Sequence, residues 1–224
     1  SICLSLDQLL AEAAWFVELS EGARKQVRSS VLERTVPVGH ILGPQGEVPH
    51  FWYGVQEGLL KWSIDSADGQ MVSLGGHSVG SWCGEGTLLR GLPRKAQLVA
   101  LRQSRVAMLP YQIFAWLRET EPSFDRFLLR QINDRMFWLM DNLAAMRFLG
   151  AQHQVARALV DLVHPLFNPR GERYLQISQE EVAYLANVSR QKCNAALMDL
   201  KKKGWIELEY GGLTIVDLHA LQVQ

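Results

Sequence analysis

Near the carboxyl end of the chain, apolar and polar positions follow the pattern of two short helices. Ser178 and Glu181 form an S-x-x-E capping box, which predicts that a helix begins there. Three apolar residues then share one face of that helix, namely Val182, Leu185 and Ala186. The pattern predicts a helix that ends near residue 186 and buries this face.

A second helix is predicted directly after a tight turn. Asn187 stands at the turn and tolerates a left-handed backbone better than most residues do. Ser189 can cap the next helix, which we expect to run to residue 203. Its apolar positions recur at helical spacing, at Cys193, Ala196, Leu197 and Leu200. Two helices joined in this way are typical of a helix-turn-helix.

Two strand patterns follow this pair of helices. Gly204 ends the second helix, and residues 205–208 and 213–216 have the composition of β-strands. Residues 210–212 between them form a Tyr-Gly-Gly turn. The segment therefore predicts a winged helix-turn-helix.

The start of the second helix exposes side chains that suit DNA. Arg can fork to guanine, and Gln or Asn can pair with adenine, whereas Lys more often binds phosphate. Residues 189–203 carry five basic side chains against one acidic side chain, although the formal net charge of the chain is zero. We expect the DNA-facing set to be Ser178, Ser189, Arg190, Gln191, Lys192, Asn194 and Lys201. The alternative is an ordinary helical hairpin with a solvated basic face.

Upstream, short apolar runs interrupted by glycine occupy residues 34–109. Residues 51–58 and 59–64 predict two strands, and Asp68-Gly69 predicts a hairpin turn before a third. Repeated turns between short strands are typical of a small antiparallel barrel or roll. Residues 4–31 instead show helical spacing, and we expect helices there to flank the roll.

The next segment is helical. Residues 111–117 predict a short helix, and Pro122 begins a long one that reaches about residue 149. Apolar residues recur on it at alternating steps of three and four, which predicts a two-stranded coiled-coil seam formed by Leu129, Ile132, Met136, Leu139, Leu143 and Met146. We expect a second stripe to cover the roll, namely Phe124, Phe127, Phe137, Met140, Ala144 and Phe148. One broad core-facing helix within a monomer is the alternative.

Gly150 is a predicted hinge before a helix over residues 152–163 and a loop over residues 165–171.

At 224 residues with 48% hydrophobic residues, the chain suits two modest domains. We predict an α+β protein divided into an effector-sensing β-roll with flanking helices (1–121), a dimerisation helix and hinge (122–150), and a winged helix-turn-helix (151–224).

The carboxyl-terminal residues resemble a known family. The run from Val188-Ser189-Arg190 through Leu197, Leu200, Gly204 and Ile206, with Ile215 to Leu218, is similar to the signature of the Crp/Fnr family of bacterial transcription regulators. The resemblance implies that Arg190 reads a guanine. The family's usual acidic reader is replaced here by Gln191, and its second Arg is replaced by Ala195.

The roll resembles the cyclic-nucleotide-binding domain of the same family. Residues 80–85, 88–89 and 93–96 are similar to its phosphate-binding cassette. The resemblance implies that amides at Gly84 face a phosphate, that Glu85 holds a ribose hydroxyl and that Arg94 pairs with the phosphate. The alternative is a turn with solvated charges.

The resemblance implies that Lys95 replaces a Ser that follows the phosphate-binding Arg, and that Leu139 and Met140 replace a Thr-Ser pair that holds the adenine. Leu and Met cannot satisfy an adenine amino group, so we expect cyclic AMP to bind poorly. Arg94 beside Lys95 favours a small anionic effector with a more apolar body. An empty or collapsed pocket is the alternative.

Composition narrows the remaining classes of location, metal site and activity. Acidic residues interrupt the amino-terminal leucines, so neither a signal peptide nor a membrane span is indicated and a cytoplasmic location is expected. Cys3, Cys83 and Cys193 are too far apart in the sequence for a C-x-x-C pair, and no metal site or enzyme motif is recognised. A thiol sensor at Cys83 and a haem on His40, His50 or His77 stay open as alternatives.

These patterns together predict a homodimeric regulator that binds a palindromic site in double-stranded DNA, under control of a small effector in the roll. The family resemblance implies RNA polymerase as a further partner. The alternatives are a ligand-independent DNA-binding regulator in which the roll is a scaffold, and a redox-responsive or haem-responsive member of the same family.

Overall fold

The computed structural model of the chain describes residues 2–148 and 153–224. Three short helices open it. Ser5 caps the first with a reciprocal capping box to Gln8, and the side chain of Ser20 caps the third. The helices are α1 (Leu6–Glu12), α2 (Ala14–Val17) and α3 (Glu21–Ser30).

Two four-stranded antiparallel sheets form the predicted roll. One has the strand order β1-β8-β3-β6 and the other has β2-β7-β4-β5, with helix α4 (Glu85–Arg90) after β6. The strands are β1 (Leu32–Val36), β2 (Ile41–Gly43), β3 (Phe51–Glu57), β4 (Leu60–Asp65), β5 (Met71–His77), β6 (Trp82–Cys83), β7 (Gln97–Ala100) and β8 (Ser104–Pro110). The predicted hairpin is β4-β5, and Gly69 has the positive φ of 83° that its turn requires.

An aromatic cluster joins the amino-terminal helices, the roll and the helices that follow. Trp15, Trp52 and Trp82 pack with ring centroids 4.9–5.0 Å apart, and Phe124 lies 5.6 Å from Trp15. All four residues are buried. Large aromatic surfaces removed from water stabilise the junction, so α2, the roll and the long helix form one packed unit.

Helix α5 (Tyr111–Thr120) leads into the long helix α6 (Pro122–Phe148). Pro122 begins α6 as predicted. Phe124, Leu128 and Trp138 are the buried apolar residues of this helix among those described, and the six residues of the predicted seam are 37–73% exposed.

The second predicted stripe on α6 was wrong for most of its length. Phe124 is buried and Phe127 is half-buried, but Phe137, Met140 and Ala144 are exposed, and the side chain of residue 148 lies outside the described part. The roll instead meets polar side chains of α6, Gln131 and Arg135, which bind Glu85 and the carbonyl of Trp82. Periodicity identified apolar positions but did not identify the surface that covers them.

The carboxyl-terminal unit is the predicted winged helix-turn-helix. Its helices are α7 (Gln154–Leu162), α8 (Gln179–Ala186), α9 (Arg190–Lys202) and α10 (Leu218–Gln222), and its three-stranded sheet has the order β10-β11-β9. The strands are β9 (Tyr174–Leu175), β10 (Ile206–Glu209) and β11 (Gly212–Ile215). β9 and α10 were not predicted, and the predicted hinge at Gly150 lies outside the described residues.

Candidate nucleic-acid interface and effector site

The turn between α8 and α9 has the geometry that the sequence predicted. Ser178 Oγ accepts a hydrogen bond from the amide of Glu181 at 3.1 Å, and a Glu181 carboxylate oxygen accepts from the amide of Ser178 at 2.7 Å. This capping box begins α8. Asn187 ends the helix with φ 56° and ψ 39°, a left-handed conformation that Asn tolerates.

Helix α9 presents one polar surface from its first turns. Ser189 Oγ accepts from the amide of Lys192 at 3.2 Å and so caps the helix. The opposite face of α9 is buried and consists of Cys193, Leu197 and Leu200. The side chains that remain exposed are Arg190, Gln191, Lys192 and Asn194. This surface carries the donors and acceptors that major-groove recognition requires.

The basic residues of α9 divide into two groups. Arg190 and Lys192 lie at the amino-terminal end, and Lys201 is about 16 Å further along the helix at 1.5 Å per residue. Lys203 already pairs with Asp199 at 2.9 Å and lies over the ring of Trp205 at 4.8 Å. Lys201 is exposed and therefore free to face a phosphate. The wing next to it carries exposed Glu207, so the positive surface belongs to the helix.

The predicted phosphate-binding cassette brings Gly84, Glu85 and Arg94 together. Helix α4 begins after Gly84, whose φ of 104° excludes other residues without strain. A Cβ on Gly43 would lie 2.7 Å from Nε of Arg94, and a Cβ on Gly84 would lie 3.5 Å from its Nη1. Gly43 therefore leaves the space that the Arg94 guanidinium occupies, whereas a Cβ on Gly84 would make only an ordinary contact with it.

Arg94 is a buried cation, only 5% exposed. Its guanidinium lies 5.8 Å from the ring centroid of Tyr53, and its Nη2 has no hydrogen-bond partner among the described residues. Burial lowers the pKa of Arg94 from its ordinary value. It forms no ion pair within the described ranges. Such a group favours an anionic ligand, because an anion would satisfy both the charge and the unpaired donor.

Glu85 is also buried, at 1% exposure, but its carboxylate is fully engaged. It accepts hydrogen bonds from Trp52 Nε1 at 3.1 Å and from Gln131 Nε2 at 2.9 Å. Arg135 Nη1 lies 3.2 Å away and completes an ion pair. Because Gln131 and Arg135 belong to α6, Glu85 connects the cassette to the long helix.

Comparison with known proteins identifies the domains in which the two candidate sites lie. Residues 33–121 match the model of the cyclic nucleotide-binding domain, and residues 153–223 match that of the Crp-like helix-turn-helix domain. The chain belongs to the Crp/Fnr family of bacterial transcription regulators. It is a DNA-binding regulator, and Crp-like regulators usually act as dimers.

Relatives of this Crp/Fnr protein align over nearly its full length. The CRP-like cAMP-activated global transcriptional regulator of Mycobacterium tuberculosis is 26% identical over 220 residues, which cover 96% of this chain and 98% of the relative. FixK2 from Bradyrhizobium japonicum has a TM-score of 0.72 at 14% identity, covering 86% and 96% of the two chains. The catabolite activator protein of Thermus thermophilus has a TM-score of 0.53 at 24% identity, covering 94% and 97%. These two structures support the fold.

Three of the predicted effector residues of this Crp/Fnr protein are exposed, whereas Arg94 is buried. Lys95 is exposed on the roll, and Leu139 and Met140 are 44% and 56% exposed on α6. Sequence reasoning missed Gln131 and Arg135, which do reach the cassette. No sequence signal distinguished them, because α6 carries other polar pairs at the same spacing, such as Arg126 and Arg130.

Of the groups considered for redox or haem sensing, Cys83 and His77 are buried, His40 is half-buried and His50 is exposed. Burial raises the pKa of the Cys83 thiol to about 12, which disfavours the reactive thiolate. Burial also lowers the pKa of His77 well below its usual value. Within the described parts of the chain no group of three potential metal ligands occurs, and no described helix is both long and apolar enough to span a membrane.

Proposed function

We propose that this Crp/Fnr protein is a homodimeric, sequence-specific regulator whose DNA binding is controlled by a small anionic effector in the roll. The proposed division is the sensing unit 1–121, the dimerisation segment 122–150 and the DNA-binding unit 151–224. RNA polymerase is proposed as a further partner on family grounds.

The dimer proposal is supported by the exposed apolar seam on α6. Its six members are Leu129, Ile132, Met136, Leu139, Leu143 and Met146, and Met146 is the most exposed at 73%. A contiguous apolar stripe on an exposed helix is characteristic of a protein interface, and spacing at alternating threes and fours fits a two-stranded coiled coil. Two subunits joined along α6 would present two α9 helices to successive major grooves, about 34 Å apart in a palindromic site.

The effector proposal depends on Arg94. A buried guanidinium with an unpaired Nη2, beside the amino terminus of α4, supplies the charge and donors for one phosphate or carboxylate. Leu139 and Met140 offer no polar group for an adenine, and the carboxylate of Glu85 is held by three protein donors. We therefore propose an anion with a more apolar body and disfavour cyclic AMP.

Activation by cyclic AMP is the second candidate, since the relative in Mycobacterium tuberculosis is described as cAMP-activated. Calorimetric titration of the purified protein with cyclic AMP and cyclic GMP separates the two candidates. We expect no binding at micromolar concentration. Micromolar binding by wild type that is lost in Arg94→Leu, together with tighter operator binding, would establish cyclic-nucleotide control instead.

A further inference from the structure

Strand β5 lies at the edge of its sheet, so one side of its backbone has no neighbouring strand. Exposed edge groups are normally covered in folded proteins, because unpaired amides and carbonyls attract other chains. Here the turn of the helix-turn-helix covers the edge at Ser73. The residue responsible is Asn187, 114 positions further along the chain.

Three hydrogen bonds meet at Ser73. Its amide donates to Asn187 Oδ1 at 2.7 Å, and its carbonyl accepts from Asn187 Nδ2 at 3.0 Å. The side-chain amide of Asn187 thus reproduces the pairing that a neighbouring strand would make. In addition, Ser73 Oγ donates to the carbonyl of Tyr184 at 2.7 Å, in the last turn of α8.

Further contacts between the roll and the DNA-binding unit also hold helix α8. A Cβ on Gly76 would lie 3.3 Å from the methyl carbons of Leu162 and Leu185, so α7 and α8 approach β5 as closely as a glycine allows. Arg102, from the roll, pairs with Glu181 on α8 at 2.9 Å. Helix α8 is therefore held by the roll at its first turn and at its last turn.

We propose that Ser73 and Asn187 are a positioning pair that sets the orientation of the DNA-reading helix relative to the roll. Only Val188 and Ser189 separate Asn187 from α9, so the direction of α9 follows from where the turn is held. Neither residue of the pair is assigned a contact with a base. Asn at this position has two functions: it adopts the left-handed turn, and it binds the sheet edge.

This proposal rests on the proposed homodimer, because orientation matters most when two reading helices must match two half-sites. A misoriented α9 can still bind an isolated half-site by rigid adjustment of one subunit. It cannot meet both half-sites of a palindrome without strain in the docked domains. Loss of the pair should therefore weaken binding to the full site and spare binding to a half-site.

The variant Asn187→Gly tests this, since glycine adopts the positive φ without strain and lacks the side-chain amide. Gln70→Ala, which removes an exposed amide side chain from the same hairpin, is the matched control. DNA binding is measured by fluorescence anisotropy at fixed salt. Asn187→Gly should bind a symmetric site about tenfold more weakly, because the two lost hydrogen bonds no longer hold α9 in the orientation that the site requires. Its binding to a half-site should be unchanged. Gln70→Ala should bind the symmetric site and the half-site as tightly as wild type does.

Equal loss on both duplexes, no loss, or tighter binding to the symmetric site would each overturn the positioning role. Hydrogen exchange at the Ser73 amide supplies a readout that does not need DNA. The Ser73 amide should be protected from exchange in wild type and should exchange faster in Asn187→Gly. Fast exchange in wild type would overturn the contact itself, whereas a protected amide in a protein that does not prefer symmetric DNA would instead refute the proposed dimeric function.

Discussion

The indole Nε1 of Trp138 lies 2.9 Å from Oδ1 of Asp161 and joins α6 directly to α7. The ring of Trp138 also packs edge-on against Phe167, at 4.8 Å between centroids. Arg157 lies 3.5 Å from the same carboxylate and also donates to Asn142 on α6. The long helix and the DNA-binding unit are therefore connected through a largely buried acidic group.

This carboxylate should make stability depend on pH. Burial raises the pKa of Asp161 from 3.8 to about 6, against the opposing effects of Trp138 and Arg157. The folded protein therefore holds the proton more tightly than the unfolded chain does. The resulting stabilisation is complete below about pH 4 and is lost as the pH rises through about 6.

We predict that wild type loses about 1 kcal/mol of unfolding free energy through this group between about pH 5 and pH 8. Asp161→Asn, which keeps an acceptor for Trp138, should lack that loss. Urea unfolding of both proteins at several pH values measures the difference between them. His77 and His164, whose pKa values are lowered, oppose the trend but act equally in both proteins. A difference that does not vary with pH would contradict the assignment.

The sequence predicted local features better than long-range contacts. The capping box of Ser178 and the left-handed Asn187 follow from residues within three positions of each other, and both are present as predicted. The bonds from Ser73 to Asn187 and from Glu85 to Arg135 join residues far apart in the sequence. No periodicity reports such pairs, because their geometry depends on how complete units pack.

The long helix illustrates the same limit. The sequence assigned one apolar stripe of α6 to a dimer seam and a second to the roll, but most described residues of the second stripe are exposed. The roll contacts Phe124, Leu128 and Trp138 together with the polar pair Gln131 and Arg135. The polar contact exists because Glu85 is buried and needs partners, a requirement that helical spacing does not encode.

The dimer seam predicts the effect of a charge in its centre. Leu143→Glu would bury a carboxylate at the α6 interface, which costs several kcal/mol, so the dimer should dissociate. Asn133→Glu adds the same charge to an exposed polar position of the same helix and should leave the dimer intact. Sedimentation velocity at micromolar concentration measures the oligomeric state of both variants. A dimeric Leu143→Glu variant would mean that the seam is misplaced.

The two ends of α9 should contribute differently to DNA binding. Arg190→Ala should cost about 1–3 kcal/mol at the specific site and relax base preference there. Lys201→Ala should weaken specific and random DNA alike and lower the salt slope by about one. Titrations at several salt concentrations test both. Equal losses of Arg190→Ala on specific and random DNA would remove Arg190 from the base-reading set.

The preferred half-site should contain fewer guanine contacts than is usual in the family. Gln191 replaces an acidic reader, and Ala195 replaces a second Arg, so one guanine-directed donor is missing from α9. Selection from a random oligonucleotide pool reads the preference directly. Recovery of the usual family operator would refute this prediction, and a control selection with Arg190→Ala should lose one further position.

Arg94 should lower stability in the absence of a ligand. Its guanidinium is buried beside Gly43 and Tyr53, and Nη2 has no partner among the described residues. A buried charge without a partner costs free energy that an apolar side chain of similar volume does not. Arg94→Leu should therefore raise the unfolding free energy by about 1–3 kcal/mol, which urea denaturation measures.

The same substitution should remove any response to an anionic effector, because it removes the buried guanidinium that would bind the anion. Arg90→Leu, at an exposed position of α4, is the control and should change stability by no more than about 0.5 kcal/mol. Thermal shift with inorganic phosphate distinguishes the two variants: wild type and Arg90→Leu should be stabilised by phosphate, and Arg94→Leu should not. Destabilisation by Arg94→Leu would mean that the guanidinium already has a partner within the protein, and the anion site would then have to be abandoned.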